Sequence, residues 1–94
     1  MPTEKVKIKP TGRNSSAESK SNEVFLVLYN DEVNSFDFVI ETLIEVCGHD
    51  PQQAEQCALI THFKGKCDIK KGTYFLLKPM KDLLITKGLS AVIE

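Results

Sequence analysis

Three consecutive polar residues, Asn30, Asp31 and Glu32, directly follow a short apolar run, and His62 lies further along the chain. An amide and two carboxylates at such a position could bind a ligand, because loops on a rigid frame often carry binding chemistry. With His62 the carboxylates could also act as general acids and bases. The alternatives are a solvated turn beside a helix cap and, for His62, a histidine favoured by a helix C-terminus. The neighbouring elements decide how these side chains are positioned.

The apolar run Val24–Leu28 predicts a strand that ends where the polar residues begin. Asn34 is a good N-cap for the helix that follows, and Asp37, at its third position, complements the helix dipole. Gly48 marks the end of this first helix. Its core-facing side is predicted from apolar residues at three- and four-residue spacing: Phe36, Val39, Ile40, Leu43, Val46 and Cys47.

A second helix is predicted to begin after Asp50, with Pro51 at its first position, and to end at Gly65. His62 therefore falls in its last turn. The inner face of this helix is predicted to consist of small or β-branched residues, namely Ala54, Cys57, Ala58 and Thr61.

The remainder of the chain predicts a strand, a helix and a final strand. Polar and apolar residues alternate over Lys66–Lys70, which predicts a short strand, and Gly72 is predicted to form a turn after it. Thr73 caps a third helix that runs to about Lys87, either kinked at Pro79 or beginning late enough to hold that proline in its first turn. Gly88 ends this helix, and Leu89–Ile93 forms the last strand. The predicted fold class is α+β, in the order β-α-α-β-α-β, with about three strands covered by three helices.

Composition limits the chain to one domain of 94 residues. Residues 1–23 are poor in large apolar residues and are predicted to be a disordered N-terminal extension, which leaves residues 24–94 as the folded domain. No signal-peptide or membrane-spanning pattern is found, so we expect a cytoplasmic protein that does not bind membranes.

Charge and cysteine content exclude several classes of site. The net charge is −1, and the stretch between Lys20 and Lys64 has no Lys or Arg, so nucleic-acid binding is not expected. Cys47, Cys57 and Cys67 form no Cys-x-x-Cys pair, and the histidines are too scattered to complete a zinc site. We expect reduced, buried cysteines and neither a metal nor a cofactor.

Several motifs together resemble the ClpS family over about residues 24–94: Asn30-Asp31-Glu32 after a strand, Phe38-Val39-Ile40-Glu41-x-Leu43 in a helix, His62 followed by Lys64-Gly65-Lys66, and a late Leu89. Members of this family are small bacterial adaptors that deliver N-degron substrates to a Clp AAA+ unfoldase and its protease. The resemblance implies as partners substrates with a bulky hydrophobic N-terminal residue (Leu, Phe, Tyr or Trp) and a ClpA- or ClpC-type unfoldase, contacted through its N-terminal domain.

The resemblance also implies roles for individual residues. Asn30 and His62 would bind the substrate's α-ammonium group, and Asp31 would bind its first peptide N–H. Phe36 stands where the family usually has Met, so it would be a larger gatekeeper of the pocket. The implied pocket lining consists of Glu32, Asn34, Phe36, Val39, Thr61 and Leu89.

Two other function classes stay open at this point. The chain could be a protein-interaction module of the same fold that modulates the unfoldase without recognising N-degrons. It could also be an enzyme that uses Asp31, Glu32 and His62 as acid–base groups, although no serine-nucleophile motif, phosphate-binding loop or metal-ligand set accompanies them. An adaptor is the preferred function, and no enzymatic activity is expected.

Overall fold

The computed structural model describes residues 22–94, which form a three-stranded antiparallel sheet with three helices. In chain order the elements are β1 (Glu23–Tyr29), α1 (Phe36–Cys47), α2 (Pro51–Lys64), β2 (Lys66–Thr73), α3 (Tyr74–Thr86) and β3 (Ser90–Ile93). The predicted α+β class and element order are thus confirmed. Of the segment predicted to be disordered, residues 1–21 lie outside the described residues, and Glu23 already belongs to β1.

The sheet order is β2-β1-β3, so β1 is the central strand. At its C-terminal end Tyr29 pairs with Lys66 of β2 and with Ser90 of β3. The residues that immediately precede these two strands, Gly65 and Leu89, are therefore brought beside the loop that leaves β1. This register positions the candidate site.

The core lies between the sheet and the helices. Helix α1 packs against α2, and α3 packs against all three strands. Burial of this core is the main favourable term in folding. Its buried residues are Leu26, Leu28, Leu43, Cys47, Ala54, Cys57, Cys67, Ile69, Leu77, Leu84, Leu89 and Ala91. No helix among residues 22–94 is long and apolar enough to cross a membrane.

The three cysteines are buried and unpaired, as the sequence predicts. Burial raises the pKa of the Cys47 thiol to about 11 and that of Cys67 to about 12. Both thiols are therefore protonated at neutral pH and are poor nucleophiles, since the thiolate is the reactive form.

The prediction that Asn34 caps α1 is wrong. Ser35 is the N-cap, and its Oγ accepts a hydrogen bond from the Phe38 N–H at 3.1 Å. The amide of Asn34 is already used in contacts with Asp31 and with the carbonyl of Gly88. Asp37 consequently occupies the second helical position, still within the first turn, where its charge complements the dipole.

Strand boundaries also differ from the predictions. Strand β2 continues through Gly72, which pairs with Val24 and is not a turn. Strand β3 begins at Ser90, so Leu89 is the buried residue before it. Helix α3 begins directly after the Thr73 cap and ends at Thr86, as predicted, and Pro79 lies in its interior and not in a late first turn.

Candidate functional site

A cavity of about 490 Å³ opens between the loop after β1, the N-terminal half of α1 and the C-terminal half of α2. Its volume falls within the ~300–1,000 Å³ that is usual for ligand sites. Every site residue predicted from the sequence lines this cavity: Asn30, Asp31, Glu32, Asn34, Phe36, Val39, Thr61, His62 and Leu89. These residues come from four separate parts of the chain.

Five lining residues were not predicted from the sequence: Leu28, Tyr29, Ala58, Leu59 and Phe63. A signal for two of them was present, because Ala58 precedes the predicted His62 by four residues and Leu59 precedes it by three. Residues at this spacing are neighbours on a helix surface. Leu28 and Tyr29 are the last residues of β1, and only the sheet register shows that they reach the cavity.

The polar end of the cavity is organised by the carboxylate of Asp31. Its Oδ1 accepts hydrogen bonds from the backbone N–H groups of Val33 and Asn34, both at 2.9 Å. The side-chain amide of Asn34 donates to Oδ2 at 3.1 Å and lies 3.3 Å from Oδ1. These contacts close a compact turn of the type that Asp and Asn side chains favour.

The same contacts determine the charge of Asp31. Partial burial raises the pKa of its carboxyl group, but hydrogen bonds from the Asn34 backbone, the Val33 backbone and the Asn34 side chain outweigh that effect and hold the pKa below its usual value. Asp31 is therefore a carboxylate throughout the neutral range. Its Oδ1 is occupied by the turn, whereas Oδ2 accepts one contact from Asn34 and has a further lone pair.

The loop that carries these groups is tied to the fold at both ends. The backbone N–H of Asn30 donates to the carbonyl of Gly65 at 2.9 Å, directly after α2. At the other end the Asn34 amide donates to the carbonyl of Gly88 at 2.8 Å, directly before Leu89. Gly65 and Gly88 have φ values of 93° and 97°, which favour glycine. Both attachments therefore depend on backbone that only glycine adopts without strain.

The opposite end of the cavity is apolar. Ala58, Thr61 and Leu89 are buried there, and Val39 is half-buried. The Thr61 hydroxyl donates to the Cys57 carbonyl of its own helix at 2.8 Å, so its proton is not available to a ligand. Phe36 is 39% exposed at the edge of this region. The cavity thus offers an apolar floor beside a rim of hydrogen-bond acceptors.

His62 lies on the exposed side of α2, in its last turn, as predicted. The ring of Phe63 meets it edge to face, with the ring centroids 5.0 Å apart and an angle of 77° between the planes. The hydroxyl of Tyr29, another lining residue, is hydrogen-bonded to the Glu94 carboxylate, which raises the pKa of that tyrosine. Residues 22–94 contain no group of three or more His, Cys, Asp or Glu placed to hold a metal ion.

The fold resembles a solved structure of Agrobacterium tumefaciens ClpS2 bound to L-phenylalaninamide. The TM-score is 0.68 at 19% sequence identity, and the match covers 78% of this chain and 95% of that one. No curated protein matches the sequence. The model of the family described as "ATP-dependent Clp protease adaptor protein ClpS" matches residues 19–91. Because this match covers most of the chain, the protein belongs to the ClpS family.

Proposed function

We propose that this protein is an N-degron adaptor. It recognises proteins that begin with a bulky hydrophobic residue (Leu, Phe, Tyr or Trp) and a free α-amino group, and it delivers them to a Clp AAA+ unfoldase for ATP-dependent proteolysis. The observation that supports this most directly is that one cavity combines an apolar floor with a rim of acceptors. An N-terminal residue has the matching pair of features, a side chain and an adjacent cation.

In this proposal Asn30 and His62 bind the substrate's α-ammonium group, and Asp31 accepts its first peptide N–H. A protein N-terminus has a pKa of ~7.7–8.0 and is mostly cationic at neutral pH. The amide oxygen of Asn30 and a neutral imidazole nitrogen of His62 suit its N–H donors. On Asp31 the acceptor is Oδ2, because Oδ1 already accepts two backbone N–H groups.

The substrate's first side chain enters the apolar floor formed by Val39, Thr61 and Leu89, with Glu32 and Asn34 at the polar boundary and Phe36 at the edge. Burying a large apolar side chain contributes ~1.5–3 kcal/mol, and each charged hydrogen bond contributes ~1.5–3 kcal/mol. Neither contribution alone exceeds association costs of ~4–15 kcal/mol. Together they support micromolar affinity, about −8 kcal/mol. A ligand therefore needs both the amine and the bulky side chain.

The solved relative supports this assignment by analogy. L-Phenylalaninamide, to which Agrobacterium tumefaciens ClpS2 is bound, has a free amine beside a large apolar side chain. We extend this ligand chemistry to the cavity of the present chain. Since family members are adaptors of the Clp protease, we propose a binding function and no catalysis for Asp31, Glu32 and His62.

The decisive experiment uses short peptides that differ only at position one, each with a free and with an acetylated N-terminus. We expect peptides that begin with Leu or Phe to bind when the amine is free and to lose affinity on acetylation. His62→Ala should reduce this difference, because Asn30 alone then contacts the amine, whereas Gln56→Ala, on an exposed part of the same helix outside the cavity, should preserve it in full. Equal binding of free and acetylated peptides would instead favour an interaction module without N-degron recognition.

Delivery requires its own measurement. The partner we propose is the N-terminal domain of a ClpA- or ClpC-type unfoldase, in the cytoplasm. A reporter protein beginning with Leu should be degraded by the unfoldase and protease only when the adaptor is present. A chain that begins at Asn22 should keep its peptide affinity but deliver poorly, because residues 1–21 are expected to engage the unfoldase during transfer. Full degradation activity with this shortened chain would contradict that role.

A further inference from the structure

Phe63 is the large apolar side chain that the proposed contacts leave unexplained. It is 76% exposed in the last turn of α2, although it lines the same cavity as His62. Among residues 22–94, the large apolar side chains that are exposed and also line this cavity are Phe36 and Phe63 alone. Phe36 already lies at the edge of the apolar floor. Phe63 therefore provides a separate apolar surface at the rim.

The geometry of α2 places this surface beyond the amine-binding group. A helix turns by about 100° per residue, so the cavity-lining residues follow one another around the helix in the order Thr61, Ala58, His62, Leu59 and Phe63. Thr61 and Ala58, at the start of this order, are buried (5% and 3% exposed), and Phe63, at its end, is 76% exposed. Between them His62 is exposed and Leu59 is half-buried. His62 thus separates the buried floor from a surface formed by Leu59 and Phe63.

A peptide held by its N-terminus would cross this boundary in the same order. Its first side chain points into the floor, and successive side chains of an extended chain point to opposite sides. The second side chain therefore points away from the floor. To contact it, a residue of the adaptor must project from the rim, and the exposed ring of Phe63 does so beside His62.

We propose that Phe63, supported by Leu59, forms a subsite for the second residue of the substrate and favours an apolar or aromatic side chain there. This inference rests on the proposed N-degron function and adds a second position to the recognised sequence. A phenyl ring has no hydrogen-bonding group, so selectivity arises from apolar burial and ring packing. The contact of Phe63 with the His62 ring makes the subsite continuous with the amine-binding group.

The test measures binding of peptides that begin with Leu and carry Phe, Leu, Lys or Gly at position two, each with a free N-terminus. Aromatic contacts of this kind change affinity about 2- to 12-fold. We expect the Leu-Phe peptide to bind the unmodified protein more tightly than the Leu-Gly peptide by a factor in this range. The ratio should fall to about one in Phe63→Ala and should be retained in Phe63→Tyr.

Phe75→Ala is a matched control, because Phe75 is 90% exposed on α3 and does not line the cavity. This variant should keep the full preference at position two. Phe63→Ala should still distinguish Leu from Gly at position one, which shows that the pocket is intact. Since Phe63 is mostly exposed, circular dichroism of this variant should match that of the unmodified protein.

The outcomes separate this inference from the proposed function. If acetylation abolishes binding but position two has no effect, the subsite is wrong and amine recognition stands. The Leu-Lys peptide could instead bind more tightly than the Leu-Gly peptide by as much as the Leu-Phe peptide does, with both differences retained in Phe63→Ala. The carboxylates of the loop would then be responsible for the preference, and the subsite would again be wrong. If acetylation has no effect, amine recognition and the subsite that rests on it both fail.

Discussion

Asn34 joins the two ends of the candidate site, and its replacement tests the structure most directly. Its amide donates to the Gly88 carbonyl at 2.8 Å and to Oδ2 of Asp31 at 3.1 Å. Asn34→Ala removes both contacts. Asn34→Asp keeps the shape of the side chain, removes the donor and places a second carboxylate beside Asp31.

The expected magnitudes follow from these contacts. A hydrogen bond to a carbonyl contributes ~0.5–1.5 kcal/mol, and the partly buried contact with Asp31 contributes a similar amount after allowance for solvent. Asn34→Ala should therefore lower the free energy of unfolding by about 1–2 kcal/mol. Since each kcal/mol corresponds to about 4–8 °C in a domain of this size, the Tm should fall by roughly 5–15 °C. Asn34→Asp should cost about 1 kcal/mol more at pH 7, because two carboxylates then lie within a few ångströms of each other.

The difference in stability between Asn34→Asp and Asn34→Ala should depend on pH. Repulsion raises the pKa of the introduced carboxyl group above its unfolded value of ~3.9. The additional penalty is therefore complete at neutral pH and disappears as the pH falls through the raised folded pKa, since a protonated carboxyl group can again donate to Gly88. Thermal unfolding of both variants between pH 7 and pH 4, followed by circular dichroism, measures the difference.

Asn30→Ala is the matched control, because Asn30 is an exposed asparagine of the same loop. It should change stability by less than about 0.5 kcal/mol while weakening peptide binding. The reasoning is refuted if Asn34→Asp is as stable as Asn34→Ala at pH 7, or if the difference between them does not depend on pH. Either result would mean that the side chain at position 34 does not lie beside the Asp31 carboxylate.

Four further predictions concern peptide binding. Asp31→Ala or His62→Ala should weaken the binding of a peptide that begins with Leu by about 2 kcal/mol or more, because each substitution leaves a polar group of the ligand unpaired. Unchanged affinity in binding titrations of both variants, with native circular dichroism, would exclude amine recognition. Phe36→Ala should admit peptides that begin with Ile or Val, since the smaller residue relieves the clash with a β-branched side chain; a wild-type protein that binds Ile and Leu peptides equally would show that Phe36 is no gatekeeper. Peptide affinity should fall about tenfold per pH unit above pH ~8, because the ligand amine loses its proton. The lowered pKa of Asp31 keeps its carboxylate charged well into the acid range. An affinity that did not change with pH above ~8 would contradict a cationic ligand. Gly88→Ala should lower both stability and affinity. Gly48→Ala, which also has a positive φ (73°) but does not line the cavity, should lower stability alone. Equal losses of affinity would show that the Gly88 carbonyl does not position the loop.

The sequence predicts the element order because most boundaries have a local cause. Asp50 and Thr73 cap α2 and α3 as expected, and Gly48 and Gly65 end α1 and α2 in the left-handed conformation. These signals act within a few residues, so a single sequence contains them in full.

The boundaries that were wrong depend on distant contacts. Asn34 and Ser35 are both suitable caps for α1, and the choice depends on Gly88, which is 54 residues away from Asn34. Gly72 looks like a turn residue until its pairing with Val24 in β1 is known. Local residue propensities carry no information about these long-range pairings, and tertiary contacts override the local preference.

In helix α3, local propensity and tertiary packing also favour different structures, and the free energies involved are larger. A proline inside a helix costs ~3 kcal/mol or more, because it removes one hydrogen bond and crowds the preceding turn. Leu77 and Leu84, on either side of Pro79, are both fully buried. Ending the helix at the proline would expose at least one of these leucines, at a cost of ~1.5–3 kcal/mol each. Packing on both sides therefore offsets the cost of a continuous helix.

The candidate site combines local and long-range information in one loop. The resemblance of Asn30-Asp31-Glu32 and His62 to a family motif predicts which groups contact the ligand, but it does not indicate what fixes the distance between them. The structure assigns that role to the two carbonyl attachments, at Gly65 beside the end of α2 and at Gly88 beside Leu89. One attachment ties the acceptor loop to the helix of His62, and the other ties it to the apolar floor. Because the same short loop carries both, a movement that opened the floor would also displace the acceptors. In the proposed function, the amine and the first side chain of a substrate would therefore be recognised as a single unit.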